Sequence, residues 1–131
     1  MNDKLVKAAR ILMGLIFLVF GSNGLLMIIT GGGFIPMPAP SPEMGAVMGG
    51  FFGAGYLMPL VKIIEVAGGA LLLFGAYKRL ALTLLTPIVV NIVGLHLFLD
   101  PAGLPMGLAL AVFSVILIRS EWDGFSHLLA K

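Results

Sequence analysis

The sequence predicts an all-α fold: an integral membrane four-helix bundle, with a short extra helix between its first and second spans. Three observations carry this. The chain of 131 residues is 60% hydrophobic and only 11% charged, where a soluble domain has about 25% charged residues. Its mean hydropathy is +1.11, and its apolar residues gather into segments long enough to cross a bilayer. Between those segments lie breaks rich in Pro and Gly, which stop helices. The length has room for one domain, residues 1–131.

Residues 1–10 form a basic amphipathic lead-in. Ile11–Ile29 carries no charge, and at 1.5 Å per residue it extends about 28 Å, one bilayer core. The first span is therefore expected at about 8–29. A secretory signal peptide is the rival reading, because Lys4, Lys7 and Arg10 resemble its basic start. The apolar stretch is too long for that, and no small-x-small cleavage site follows. Residues 30–43, with Gly31, Gly32, Gly33, Pro36, Pro38, Pro40 and Pro42, read as a loop. Residues 44–58 are uncharged but reach only about 22 Å as helix, short for a span. They predict a short interfacial or re-entrant helix, ended by Pro59. Gly45, Gly49 and Gly53, flanked by Ala46, Gly50 and Ala54, predict a ridge for close helix packing; a ligand gate lined by glycines is the alternative.

The second span is expected at 59–77 and the third at 80–99, kinked at Pro87. A turn follows at residues 100–105, and the fourth span is expected at 103–119. The tail after it is amphipathic, with Trp122 and Phe125 as interface anchors. Four spans put Lys4, Lys7, Arg10, Lys78, Arg79, Arg119 and Lys131 on one side. The positive-inside rule then predicts that both termini are cytoplasmic. A fifth span at 44–58 would split these basic groups.

Composition excludes several functions. With no cysteine, thiol redox chemistry, thiolate iron–sulfur clusters and disulfides are excluded. The net charge of +2 comes from residues at helix ends, with no basic stripe or interleaved aromatics, so nucleic acid is not an expected partner. No metal site is expected from two histidines, one of them, His127, in the tail. The Gly31–Gly33 run follows a membrane helix rather than a strand, so it is not a phosphate loop.

The unusual chemistry lies in the second span. Lys62 and Glu65 are three residues apart, so they share a helix face, continued by Gly69 and Ala76. A charge in hydrocarbon costs about 2.5–3.5 kcal/mol even on the lenient insertion scale. Such groups must pair, neutralise or face a wet cavity. Glu65 needs a partner, and Asn23, Asn91 and Lys62 are the candidates; Lys62 could instead snorkel to the interface. Asn91 continues a four-residue stripe with Thr83 and Pro87 and is expected to face the bundle. His96 joins it only if the helix end rotates or unwinds, and Asp100 reads as a turn residue. By depth, Asn23, Lys62, Glu65, Asn91 and His96 all favour the outer half, which predicts a polar, ligand-binding pocket there.

The run Lys62-Ile-Ile-Glu65-Val-Ala-Gly68-Gly69-Ala-Leu-Leu-Leu-Phe-Gly75, with Pro87-Ile-Val-Val-Asn91 and His96-Leu-Phe-Leu99, resembles the core motifs of the DoxX-like family of small four-span membrane proteins. Gly21-Ser-Asn-Gly24 and the short helix before the second span are similar to that family too. The resemblance covers nearly the whole chain. It implies a bacterial cytoplasmic membrane location and a quinone-binding or docking subunit of a redox complex, since founding members are membrane subunits of a thiosulfate:quinone oxidoreductase. A related animal branch assists receptor assembly. Three functions are therefore in play: a subunit that binds quinone or another small amphipathic ligand; an assembly protein whose buried pair is structural; and a transporter module that works as an oligomer. A protein partner or a homo-oligomer is compatible with each.

Overall fold

The computed structural model describes residues 2–131, and the regular elements among them are all helices. They are α1 (Asp3–Thr30), α2 (Pro42–Gly53), α3 (Leu57–Phe74), α4 (Lys78–Leu99), α5 (Leu104–Ser120) and α6 (Trp122–Ser126), with single 3-10 turns at Pro101–Gly103 and His127–Leu129. The long helices α1, α3, α4 and α5 form a closed ring in that order, and α2 lies against α3 and α4. The all-α bundle is as the sequence predicts.

The helix ends differ from expectation for identifiable reasons. The basic lead-in is not separate: Asn2 caps α1 by accepting from the Lys4 and Leu5 amides, at 2.8 and 3.4 Å, so α1 starts at Asp3. At its other end Gly31 takes φ +82° and its amide bonds Met27 O at 2.9 Å. The short helix stops at Gly53 instead of Met58, because the chain reverses at Gly55, where φ is also +82°. Pro59 breaks nothing. It sits in the first turn of α3, where its missing N–H would have had no intrahelical partner. That helix ends at Phe74 rather than near Tyr77. Gly75 is left-handed, and the Gly75 and Ala76 amides close back on Leu72 O and Leu71 O, a Schellman ending. Ala76 therefore lies outside the helix and does not extend the Lys62–Glu65 face.

Met13, Leu72, Leu82, Leu85 and Leu117 are fully buried, one or more from each long helix. The Ser114 hydroxyl bonds Leu110 O at 2.8 Å within this core. Most of the apolar surface points the other way. No more than 28% of any long helix's apolar stretch is buried inside the bundle, and Phe74 and Phe98 are 80% and 83% exposed. A soluble monomer rarely shows contiguous apolar patches beyond a few hundred Å². Four segments, the last running from Pro101 through α5, are long and apolar enough to cross a membrane, which fits an integral membrane protein in contact with lipid.

The glycines of the predicted α2 ridge meet no other helix. A Cβ on Gly49, Gly50 or Gly53 would meet open space, and the helix turns Met44 inward instead. Close packing occurs elsewhere, between α1 and α3. A Cβ on Gly69 would stand 2.6 Å from Leu18 N and 2.8 Å from Gly14 O. The two backbones touch there, an approach that glycine on both helices permits.

Candidate functional site

Lys62 and Glu65 lie on the seam between α3 and α1. Lys62 Nζ is 3.2 Å from Glu65 Oε2 and 3.5 Å from Oε1. The Glu65 side chain is 6% exposed and that of Lys62 is 21% exposed. Glycines on α1 make the room. A Cβ on Gly21 would be 3.0 Å from Glu65 Cβ, and one on Gly24 would be 2.6 Å from Lys62 Cδ. The lysine stem thus lies in a groove of α1, and its ammonium turns to the carboxylate rather than extending freely to the interface. Of the three candidate partners for Glu65, Lys62 is the one that bonds it.

Asn23 is buried, but its carboxamide is spent on the loop. Its Oδ1 accepts from the Phe34 and Ile35 amides at 2.8 and 3.0 Å, which straps residues 31–35 over the end of α1. His96 is half-buried, with Nδ1 3.0 Å from the Asp100 carbonyl oxygen, and its ring lies where a side chain on Gly103 would stand. Asp100 does more than turn the chain. Its carboxylate accepts from the Ser41 amide at 3.1 Å, while the Ser41 hydroxyl donates to Leu99 O at 2.7 Å and caps α2 through Met44 N.

Asn91 is the clear correction. It does not face the bundle. The buried stripe of α4 is Ala81, Leu82, Leu85 and Val89, and a helical turn of 100° per residue puts Asn91 about 160° from Val89. Asn91, with Thr83 and Pro87, is exposed on the outer face, and its Nδ2 donates back to Pro87 O at 2.9 Å. The five candidate residues therefore form one ion pair, two local clasps and one outward carboxamide. Asn91 points away from the bundle interior that holds Glu65 and Asn23. Among the clefts that indent the surface are two of similar size. One, of about 290 Å³, is bounded by Tyr77, Lys78, Arg79, Leu80 and Glu121. The other, of about 280 Å³, lies between α4 and α5 among Thr86, Val89, Val93, Ala111, Ser114 and Ile118. None of the five lines either cleft.

The opposite end of the bundle is held by charges that the sequence shows only as a topology signal. Arg10 Nη1 donates to the Leu72 and Leu73 carbonyl oxygens, placing a cation on the negative end of α3 and giving Leu72 O a second donor beside the Gly75 amide. Lys78 and Arg79 clasp Glu121, at 2.8 and 2.9 Å. These contacts bring the start of α1, the end of α3, the start of α4 and the end of α5 together at one end. No local motif announces either clasp; only an acid among basic helix ends hints at the second.

The hydrogen bond from Lys78, reinforced by Arg79, holds the Glu121 carboxyl below its ordinary value of 4.5 despite some desolvation. A depressed carboxyl stabilises the fold above its unfolded pKa, and this contribution is lost as pH falls through the folded value. Melting temperature in detergent is expected to drop below about pH 4.5, and Glu121→Gln is expected to flatten part of that drop. Both cations are well exposed, so the gain at neutral pH is under about 1 kcal/mol per pair. An acid limb identical in both proteins would show that the clasp contributes nothing.

Fold and site together define a class: a small all-α bundle of four potentially membrane-crossing helices, with one ion pair buried on a glycine-lined seam. Comparison with protein-family models, curated proteins and solved structures finds no match to this chain.

Proposed function

We propose that the chain is a non-catalytic membrane subunit of the DoxX-like type, which docks with other protein in a bacterial cytoplasmic membrane. Both termini lie in the cytoplasm, because the end bearing Arg10, Lys78, Arg79 and Arg119 is the basic one. The observation that carries this reading is the closure of Lys62 onto Glu65. The carboxylate already has its cation, the cation lies in the groove of α1, and neither cleft opens onto them. A pair satisfied in this way specifies how α1 and α3 meet and leaves little to offer a ligand. The motif residues Glu65, Gly68 and Gly69 then serve packing, which supports assembly over quinone binding.

Native mass spectrometry of the full chain, gently extracted from its own membrane, tests this. The expected result is a protein partner or a further copy, with no small-molecule mass that depends on Glu65. A quinone mass that disappears in Glu65→Gln would overturn the proposal and restore a redox role for the pair.

A further inference from the structure

The outer face of α4 carries a pattern that the bundle does not use. Leu80, Leu84, Pro87, Asn91, Gly94 and Phe98 follow one another at spacings of four, three, four, three and four. That is the a/d alternation of a heptad seam, the 3.5-residue repeat by which helices pair. All six but Gly94 are exposed, and Gly94 is half-buried with open space where a Cβ would stand. The core stripe of α4 lies on the other side, so this seam has no partner within the chain.

Two polar groups on this side also lack full partners. Pro87 has no N–H, so the Thr83 carbonyl loses its intrahelical donor. Asn91 uses one amide hydrogen on Pro87 O and has a second hydrogen and Oδ1 to offer. Asn91 stands about 20 Å along α4 from Lys78, deep within a span, where lipid tails offer no hydrogen bond.

We propose that this seam is the interface of a parallel homodimer, with Asn91 pairing to Asn91 of a second copy. This rests on the reading of the chain as a membrane protein. The identity of the occupant follows from symmetry and chemistry. Two copies inserted the same way place residue 91 at the same depth, and a two-fold axis along the membrane normal brings the two side chains together. A carboxamide is both donor and acceptor, so each satisfies the other. A single Asn at an a position fixes register and favours a two-stranded pairing, and Gly94 one turn on lets the backbones approach.

The chain has no cysteine, so disulfide trapping of single-cysteine variants in membrane vesicles reads the interface directly. Leu84→Cys is expected to cross-link to a homodimer under mild oxidation. Val112→Cys, exposed on α5, is expected not to. In the Leu84→Cys background, Asn91→Leu should lower the cross-linked fraction about tenfold, and Asn91→Gln should preserve most of it. Asn91 packs on no core residue, so a carbonate wash and circular dichroism should find both variants folded and membrane-bound. Equal cross-linking at residues 84 and 112, or no response to Asn91→Leu, overturns the dimer while leaving the membrane reading intact. Release of the wild-type chain by carbonate overturns the membrane reading, and the depth argument with it.

Discussion

Replacing Lys62 by Met is expected to destabilise the bundle by about 3–5 kcal/mol, the usual loss when one member of a buried ion pair is removed. Methionine keeps an unbranched stem to fill the groove over Gly24, so lost packing is a small part of the effect. What remains is a carboxylate on an apolar helix seam without its cation. Glu65→Gln should cost less, about 1–2 kcal/mol. Its amide oxygen still accepts from the ammonium, and the partly exposed Lys62 can extend its stem toward the interface. Lys62→Met combined with Glu65→Met should recover most of the single-variant loss, because apolar groups can replace a buried pair with little penalty. Reversible unfolding in mixed micelles, followed by circular dichroism, gives all four stabilities. The pair is not the structural device argued here if Lys62→Met proves no worse than Glu65→Gln, or if the double variant stays as weak as the single one.

That pair was legible in the sequence because it is local. Charges three residues apart must share a helix face, and an apolar context forces them to find partners. The number of long helices was legible for the same reason, since α1, α3 and α4 each end at a glycine or just before a proline. The contents of the outer half were not. Periodicity says that Thr83, Pro87 and Asn91 share a face, but not whether that face turns inward or outward. In a membrane helix both sides are apolar, so the usual contrast between core and solvent sides is missing. The same loss of contrast misplaced the close packing. Gly45, Gly49 and Gly53 carry a clear four-residue repeat, yet Gly49 and Gly53 face open space and Gly45 meets only Pro40 of the preceding loop. Gly14, Gly21 and Gly69 are scattered over two helices and make the contact. Arg10 on the end of α3, Ser41 on Asp100 and Glu121 on Lys78 and Arg79 all join residues more than forty positions apart, beyond the reach of any local pattern.

The α1–α3 seam should be as sensitive to one methyl group as the ion pair is to its cation. Gly69→Ala is expected to cost about 3 kcal/mol, at the upper end for overpacking, although alanine favours an isolated helix by about 1 kcal/mol over glycine. The new Cβ would meet Leu18 N, Gly14 O and Phe17 C, at 2.6, 2.8 and 3.1 Å. These are main-chain atoms with no rotamer to change, so α1 itself must move. Gly14→Ala meets Leu73 N at 2.7 Å and Gly69 O at 2.9 Å from the other side and should cost a similar amount. The double variant should cost little more than the worse single one, because the first methyl group already parts the helices and opens room for the second. Gly50→Ala supplies the contrast: with no neighbour near its Cβ, it should be neutral or stabilising by up to about 1 kcal/mol. Unfolding midpoints of these variants rank the two glycine sets directly, and a larger loss from Gly50→Ala than from Gly69→Ala would reverse the assignment. The effect also reaches the ion pair. The groove at Gly21 and Gly24 exists only while α1 lies against α3, so parting the helices at Gly69 loosens Lys62 from Glu65. In a Gly69→Ala background, Lys62→Met should therefore cost measurably less than it does in the native chain, because the backbone contact and the charge pair belong to one seam.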